Sequence, residues 1–463
     1  MKILGIVITD GVGYRNFILS NFINECLLKF DEIIIYSGLP KNCFNDIDNQ
    51  KIQIKELDIF REHKVNWIFR KLKEVAHMYL HRSSYGINNN LVRGYPANNS
   101  LRSLQIKFIY LIAYFFHSEK SICFYEKLQF KSFNKNKITI GYMKLLSENL
   151  PNSIFFTHQR PPYLAPFLAV VNKVNLKSIS FIFSWDNLAS KGRMLGRFDH
   201  YFVWSNLMKK EMLHFYPSTK PKDITIVGTP QFEPYVMKAY AIDKISFFKK
   251  FELNPAKKTI CYSCADAGIG GNDPVHIESI IKFIKQSEQD LQLLVRTSPA
   301  EDGIRFNDIK LKYLDIKWNI PKWKLSRANH VETWSQRVPT KEDISDLKSI
   351  LKFSDLNINM CSTMSLDFML FDKPVINTVY GNVNNGLYDD QKFLNYDHYK
   401  KVVESGAVVI AHNETELFFE INKILENPTS RVDQQNNLLK LQIGKPLEGT
   451  SERIANVLYK LSS

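Results

Sequence analysis

Ser362, Thr363 and Ser365 crowd one turn of the stretch LNINMCSTMSLDFMLFDKPVINTVY, residues 356–380. Its apolar opening reads as a buried strand, an apolar segment follows at helical spacing, and Lys373-Pro374-Val375-Ile376 starts another strand. A helix beginning at these hydroxyls would aim free N–H groups at an anion, the way many α/β proteins hold phosphate. Asp367, two residues beyond Ser365, can accept hydrogen bonds from vicinal hydroxyls such as those of a ribose. The plainer alternative is that Ser362 or Thr363 only caps a helix. A second group stands near the start of the chain, in the turn Asp10-Gly-Val-Gly13-Tyr14-Arg15. There Asp10 can serve as a base and Arg15 can meet an anion.

These residues need elements to position them. Residues 2–9 read as a strand, Phe17–Leu27 as a helix and 32–36 as a second strand, the opening of a doubly wound sheet. Only Gly11 and Gly13 are present, and no acidic residue is suitably placed after the second strand, so a dinucleotide site is not expected. Strands follow at 153–157, 178–183, 199–204 and 223–227, with His158, Asp186, Asn206 and Gln231 just beyond them. In an open α/β sheet such tips share one edge and can face one crevice, although Asn206 reads better as a helix cap. After a Lys-rich stretch at 235–257 a second series begins, with strands at 258–262, 291–296, 331–334, the segment from 356, and 407–410. Two α/β domains joined near 235–255 result. Between about 60 and 150 the pattern is helical, with Val65, Ile68, Phe69, Leu72, Val75, Ala76 and Tyr79 on one face. Leu101–Phe116 is more apolar still, and the Asn-rich 88–100 reads as a mobile loop.

Composition narrows the class. The 463 residues have room for two or three domains, and with 44% hydrophobic and 23% charged residues the chain is an ordinary globular one. The N-terminus reads as a strand rather than a signal peptide, and no run reaches the roughly 18 apolar residues of a membrane span. A cytoplasmic location is expected. Six cysteines show no paired spacing, and the lone Cys261-Tyr-Ser-Cys264 lacks partner ligands, so no structural metal is expected. The net charge is +14, and between Arg61 and Ile140 fourteen lysines and arginines stand against four acids, interleaved with aromatics. Such a stretch suits nucleic acid, a membrane surface or a polyanionic substrate, or is simply a set of solvated helix faces.

Cys361-Ser-Thr-Met-Ser-Leu-Asp367 with Lys373-Pro-Val-Ile376, Ser184-Trp-Asp-Asn187, Val227-Gly-Thr-Pro-Gln-Phe232 and Gly449-Thr-Ser-Glu-Arg453 together resemble the GT-B glycosyltransferases of bacterial surface-polysaccharide and lipopolysaccharide assembly. More distantly the chain is similar to the CDP-glycerol glycerophosphotransferases. It departs from the latter at Arg296-Thr-Ser-Pro299, where they tend to have Arg-x-His-Pro, which makes a glycerol-phosphate donor less expected.

The resemblance implies an α/β, GT-B fold: two Rossmann-like domains facing across a cleft, acceptor on the first and nucleotide-sugar on the second. Domains are expected at 1–237, with the basic helical insertion at about 60–150, and at 238–445, followed by a helix at 446–463 free to pack back on the N-terminal domain. The implied activity is glycosyl transfer from a nucleotide-activated donor to a hydroxyl of a glycan or lipid-linked acceptor. Ser263, Arg296, Val338, Ser362, Thr363, Met364, Ser365 and Asp367 are expected to hold the donor, Arg296 neutralising the leaving diphosphate. Asp10 is the preferred general base and His158 the runner-up, with Gly13, Arg15, Asp186, Asn187 and Gln231 around the acceptor. No cofactor or catalytic metal is expected, since no Asp-x-Asp pair stands near the donor site. The basic region could rest on an anionic inner leaflet as a peripheral contact, and nucleic acid is not an expected partner. Competing readings are a nucleotide-sugar 2-epimerase, a polyol-phosphate transferase, or a non-catalytic glycan- or nucleotide-binding protein.

Overall fold

Apolar residues run without alternation along the first strand, a pattern that suits burial on both faces of a parallel sheet. A computed structural model, which describes residues 1–47, 49–383, 386 and 389–462, shows that arrangement twice. The chain forms two compact units: Met1–Glu233 with Leu325–Val338 and Gln442–Ser463, and Pro234–Lys324 with Pro339–Leu441. The first unit therefore takes in a stretch that sequence reading assigned to the second domain.

In the first unit β1 (Ile3–Ile8), β2 (Glu32–Ser37), β3 (Ile52–Glu56), β4 (Ser153–Phe156), β5 (Lys177–Phe181), β6 (His200–Val203) and β7 (Ile224–Ile226) form one parallel sheet in the order β3-β2-β1-β4-β5-β6-β7. Every residue of β1 is buried. β1 leads through a tight turn into α1 (Gly11–Phe17), and α2 (Phe22–Leu27) follows. At Gly11 a Cβ would lie 1.6 Å from the carbonyl oxygen of Arg337, so only glycine fits where these two backbones meet.

In the second unit β8 (Lys258–Ser263), β9 (Leu291–Arg296) and β10 (Lys317–Asn319) join β13 (Leu356–Asn359), β14 (Val375–Thr378) and β15 (Val409–Ala411) in the parallel order β10-β9-β8-β13-β14-β15. The short β11 (Trp323–Leu325) and β12 (Arg337–Pro339) bracket the 325–338 stretch. The strand expected at 331–334 is not formed. Val331 and Trp334 are exposed, so no apolar run is there to bury, and Thr333–Gln336 makes a 3-10 turn instead.

The basic insertion is helical: α3 (Lys64–Leu80), α4 (Tyr85–Arg93), α5 (Leu101–Phe115), α6 (Glu119–Lys131) and α7 (Lys137–Glu148). Its core joins Leu72, Val75 and Ala76 to Leu91, Ile109, Ala113 and Ile122. The loop expected from Asn88 begins only after Arg93. Ile87 and Leu91, buried one helical turn apart, hold α4 together against the weak helix propensity of its asparagines. On α5 the opposite face is bare: Leu101, Leu104, Phe108, Leu111 and Phe115, spaced three and four apart, are 50–83% exposed. Among the described residues no helix is long and apolar enough to cross a membrane.

The last helix, Thr450–Leu461, belongs to the first unit and packs against α2. Gly449, at φ +69°, opens it, and the buried Glu233 accepts from the Ser451 amide at 2.9 Å and from its hydroxyl. Arg453 donates to the carbonyls of Val227, at 3.2 Å, and Pro446. The Val227–Phe232 and Gly449–Arg453 motifs thus brace each other.

Candidate active site

Asp10 follows β1 at the carboxyl end of the sheet and caps α1. Its Oδ1 accepts the Gly13 amide at 2.7 Å, while Oδ2 accepts the Thr9 hydroxyl at 2.6 Å and His158 Nδ1 at 2.9 Å. The side chain is fully buried. Burial alone would raise its pKa, but the His158 bond and charge, with the Thr9 and Gly13 donors, take it below the usual carboxylate value. Asp10 is therefore ionised and enclosed, and it meets the cavity described next only through His158.

His158 follows β4, next to β1 in the sheet. Burial pushes its pKa down, against the opposing pull of Asp10, so the imidazole is neutral at pH 7. With the proton on Nδ1 facing Asp10, Nε2 carries a lone pair, and no other described residue bonds to it. The ring stacks on Phe183 at 3.8 Å between centroids and 12° between planes. Gln159 fixes that stack, accepting from the Phe183 amide at 3.0 Å and donating to Asn187 Oδ1 at 2.9 Å.

His158 lines a cavity of about 490 Å³ in the first unit. Its lining includes the apolar Val75, Met78, Ile106, Ile109, Pro161 and Pro162, and the charged Arg70, Lys71, Arg160, Lys191 and Arg193 with Glu74 and Glu332. Most of these cations are neutralised: Arg70 by Glu62 and Glu74 at 2.7 and 2.8 Å, Lys71 by Glu74 at 3.0 Å, Arg193 by Glu119 at 2.6 Å. Arg160 differs, since its one protein hydrogen bond is a donation to the Gly192 carbonyl at 2.7 Å and no described carboxylate pairs with it. Burial raises the Glu332 carboxyl pKa, and Asp10 adds to the effect.

The residues expected around the acceptor are not among the lining residues. Gly13 sits where a Cβ would meet Thr157 Oγ1 at 2.9 Å; Arg15 is buried in α1; Asn187 donates to Asp186 at 3.1 Å; Gln231 lies in the Thr229 turn. Gly13, Arg15 and Asn187 are buried, while Asp186 and Gln231 are partly exposed. Arg160 and Glu332 were missed. Arg160 is legible as the cation two residues after His158, whereas Glu332 lay inside a stretch read as strand.

The expected donor residues other than Val338 lie at or after the carboxyl ends of β8, β9 and β13 in the second unit. Buried asparagines position the turn: Asn357 donates to Ser263 Oγ at 2.9 Å, and Asn359 Oδ1 accepts from the Ser362 amide at 2.9 Å and from Asn377 at 3.0 Å. Ser365 is fully buried and bonds to the Tyr399 hydroxyl at 3.0 Å. Cys361 takes φ +47°, a strained value for a residue with a Cβ. Ser362, Thr363 and Met364 remain partly exposed. The helix amides are already engaged, Met364 by Ser362 Oγ at 3.2 Å and Ser365 by the Ser362 carbonyl at 3.0 Å. The buried Asp367 accepts from the Tyr235 hydroxyl.

Arg296 has its charge already engaged within the protein. It is buried, paired with Asp343 at 3.1 Å and bonded to Asn319. A guanidinium so held serves the fold, because exposing it would leave Asp343 buried and unpaired. Val338 is the exception, belonging to the first unit.

A second histidine group lies deeper in this unit. His276 Nε2 meets the Tyr380 carbonyl at 2.6 Å, and its Nδ1 faces the Tyr262 and Thr378 hydroxyls at 2.9 and 3.1 Å. Tyr262 donates to Asp273 at 2.7 Å, and Asp273 pairs with Arg305 at 2.7 Å. Burial lowers the His276 pKa to about 4 and raises that of Asp273 to about 6. Among the described residues no group of three or more His, Cys, Asp or Glu is placed to share a metal ion.

No protein-family model matches the chain, and no curated protein matches it at the sequence level. Solved structures do. S. aureus MnaA in a co-structure with UDP superposes with a TM-score of 0.53 at 11% identity, over 100% of this chain and 97% of that one. A variant of the wall teichoic acid polymerase TagF gives 0.51 at 11%, over 100% and 89%. Arabidopsis thaliana UGT89C1 complexed with quercetin gives 0.51 at 11%, over 99% of each chain. The chain thus has the α/β, GT-B fold, two parallel sheets of seven and six strands, which it shares with glycosyltransferases and nucleotide-sugar epimerases.

Proposed function

We propose that this chain is a glycosyltransferase that moves a sugar from a nucleotide-activated donor to an acceptor hydroxyl, with His158 as the base. The supporting observation is the Asp10–His158 pair: a buried carboxylate holds one ring nitrogen, and the ring lines a cavity large enough for a ligand. Nε2 takes the proton of the acceptor hydroxyl as its oxygen bonds to the anomeric carbon. The bond from that carbon to the donor diphosphate breaks, and the diphosphate leaves with the electron pair. Asp10 keeps the imidazole in the required tautomer and stabilises the imidazolium that forms.

The second unit offers the donor a strand-end turn. Ser362 and Thr363 are partly exposed in the turn after β13, and a phosphate oxygen can replace Ser362 Oγ as the acceptor of the Met364 amide. The co-structure of MnaA with UDP, on the same fold, agrees with a uridine or similar nucleotide as ligand. The bare α5 stripe, with Arg102 and Lys107 on the same helix and no acid in it, fits an anionic bilayer surface, where an acceptor would be lipid-linked.

The test is transfer of radiolabelled sugar from a panel of UDP-, GDP-, dTDP- and CMP-sugars into a bacterial lipid and glycan extract. Parallel thermal shifts are read with the free nucleotides. Wild-type protein should be stabilised by one nucleotide and should transfer the matching sugar; His158→Gln should keep the stabilisation and lose transfer. Stabilisation by none of the nucleotides, full transfer by His158→Gln, or epimerisation of a donor without acceptor would each overturn the reading.

A further inference from the structure

The first-unit cavity combines a guanidinium that stands outside the described salt bridges with apolar lining residues, a combination that the transfer of a sugar does not by itself require. Arg160 lies two residues beyond His158 and lines the same cavity. Its neighbours Arg70, Lys71 and Arg193 are each held by a glutamate, so their charge is spent within the protein. Arg160 uses one N–H on the Gly192 carbonyl and no described carboxylate lies within ion-pair distance, although Glu332 lines the same cavity. A guanidinium with this geometry offers parallel donors that match the oxygens of a phosphate. In the same cavity, Val75 and Met78 of α3 and Ile106 and Ile109 of α5 give apolar lining. Those two α5 residues share their helix with the bare stripe Leu104–Phe108–Leu111, so part of the apolar lining and the exposed apolar face belong to one element.

We infer that this cavity binds an alkyl phosphate, with the phosphate on Arg160 and the alkyl chain against the α3 and α5 lining residues, beside His158. The inference rests on the reading of the cavity as the acceptor site, and it narrows the acceptor to a phosphate-bearing amphiphile. A phosphate could equally come from a phosphorylated sugar, which would engage Arg160 and leave the apolar lining uncovered. The two sources differ in their dependence on the alkyl chain.

Isothermal titration of the full-length protein, with no donor present, separates them. The probes are decyl phosphate below its micelle concentration, decyl maltoside, glucose 6-phosphate and inorganic phosphate. Decyl phosphate should bind at least about tenfold more tightly than each of the others, the scale of one charge-assisted hydrogen bond or a few buried methylenes. Arg160→Gln, which retains a donor for the Gly192 carbonyl, should weaken decyl phosphate about tenfold or more, and Arg160→Lys should recover part of the loss. Equal binding of glucose 6-phosphate and decyl phosphate would overturn the alkyl assignment. Equal binding of decyl maltoside, no binding of decyl phosphate, or an unchanged Arg160→Gln would overturn the site. Should Arg160→Gln not fold, the wild-type salt dependence decides, because phosphate binding on Arg160 weakens with added NaCl and alkyl binding alone does not. Since no donor enters the experiment, its failure leaves the transfer assay standing, and failure of the transfer assay leaves this binding result intact.

Discussion

His158 and His276 are both buried histidines supported by an aspartate, yet they are built for opposite tasks. His158 touches Asp10 directly and has one nitrogen without a described protein partner beside a cavity. His276 reaches Asp273 through Tyr262, and protein groups face both its nitrogens. Burial lowers both pKa values, so a depressed histidine pKa alone does not mark a reactive group. What separates the two is satisfaction. A ring with both nitrogens engaged holds elements together, while one with a spare lone pair at a cavity can take a proton.

The sharpest way to break this comparison is to make the same substitution in both groups. His158→Gln should lower the transfer rate of the folded protein by about 10²–10⁴-fold, the usual worth of a positioned base. His276→Gln should keep the rate of the folded protein and lose stability on the order of 1–3 kcal/mol, because the buried Tyr380 carbonyl loses its donor and the Thr378 hydroxyl its acceptor. Kinetics and calorimetry on the two variants read both effects, and a reversed pattern would exchange the assignments.

Asp10→Asn should cost less than His158→Gln and move the pH profile. The active form of His158 is the unprotonated one, so wild-type kcat should fall only once the pH drops below the ordinary histidine range. Asp10 favours the charged ring; removing its charge lowers the His158 pKa further and shifts the acid limb of kcat to lower pH. An acid limb that stays in place in Asp10→Asn would detach the carboxylate from the base.

His276 makes a smaller prediction about acid stability. Its folded pKa of about 4 lies below the unfolded value of 6.5, so between those values the unfolded chain binds the extra proton. Its contribution is therefore present above pH 6.5 and is lost as the pH falls toward about 4. Asp273, raised from 3.8 to about 6, acts in the opposite sense, its native form gaining the proton first. Melting temperatures of wild type and His276→Gln across pH 4–7 should converge on acidification. Smallest of all, Ser362→Ala should cost about 1 kcal/mol or less in stability, since without ligand its hydroxyl only accepts the Met364 amide, and should reduce the thermal shift produced by the preferred nucleotide, since the freed hydroxyl is then missing as a donor to the phosphate. An unchanged nucleotide shift would leave the turn a simple cap.

Much of the fold was legible because parallel strands buried on both faces announce themselves as apolar runs. β1, β4, β5, β8 and β9 stand where those runs stand. β3 was not, for Ile52–Glu56 alternates isoleucines with polar residues and is only partly buried. The site was legible as a list of residue types and less so as roles. Asp10 and His158 are visible separately, but that one encloses and orients the other depends on β1 lying beside β4, across about 150 residues of chain. Arg296 shows the converse. Its charge and strand-end position suggest a diphosphate partner, and only the packing of Asp343 against it shows the charge already satisfied.

The contact at Gly11, where the Arg337 carbonyl leaves no room for a side chain, bears on the order in which the molecule can be made. The first unit is assembled from three stretches, the last of them carrying the serine that satisfies Glu233. As the chain leaves the ribosome, the β1–α1 turn lacks its contact with Arg337 until that residue has emerged, and Glu233 lacks its Ser451 donors until residue 451 has. The strands of the second unit's sheet, β8 to β15, thus all precede the last stretch of the first unit, although the seven strands of the first unit's own sheet come earlier still. A fragment ending at residue 233 would carry the whole seven-stranded sheet and still expose the surfaces that the later stretches cover.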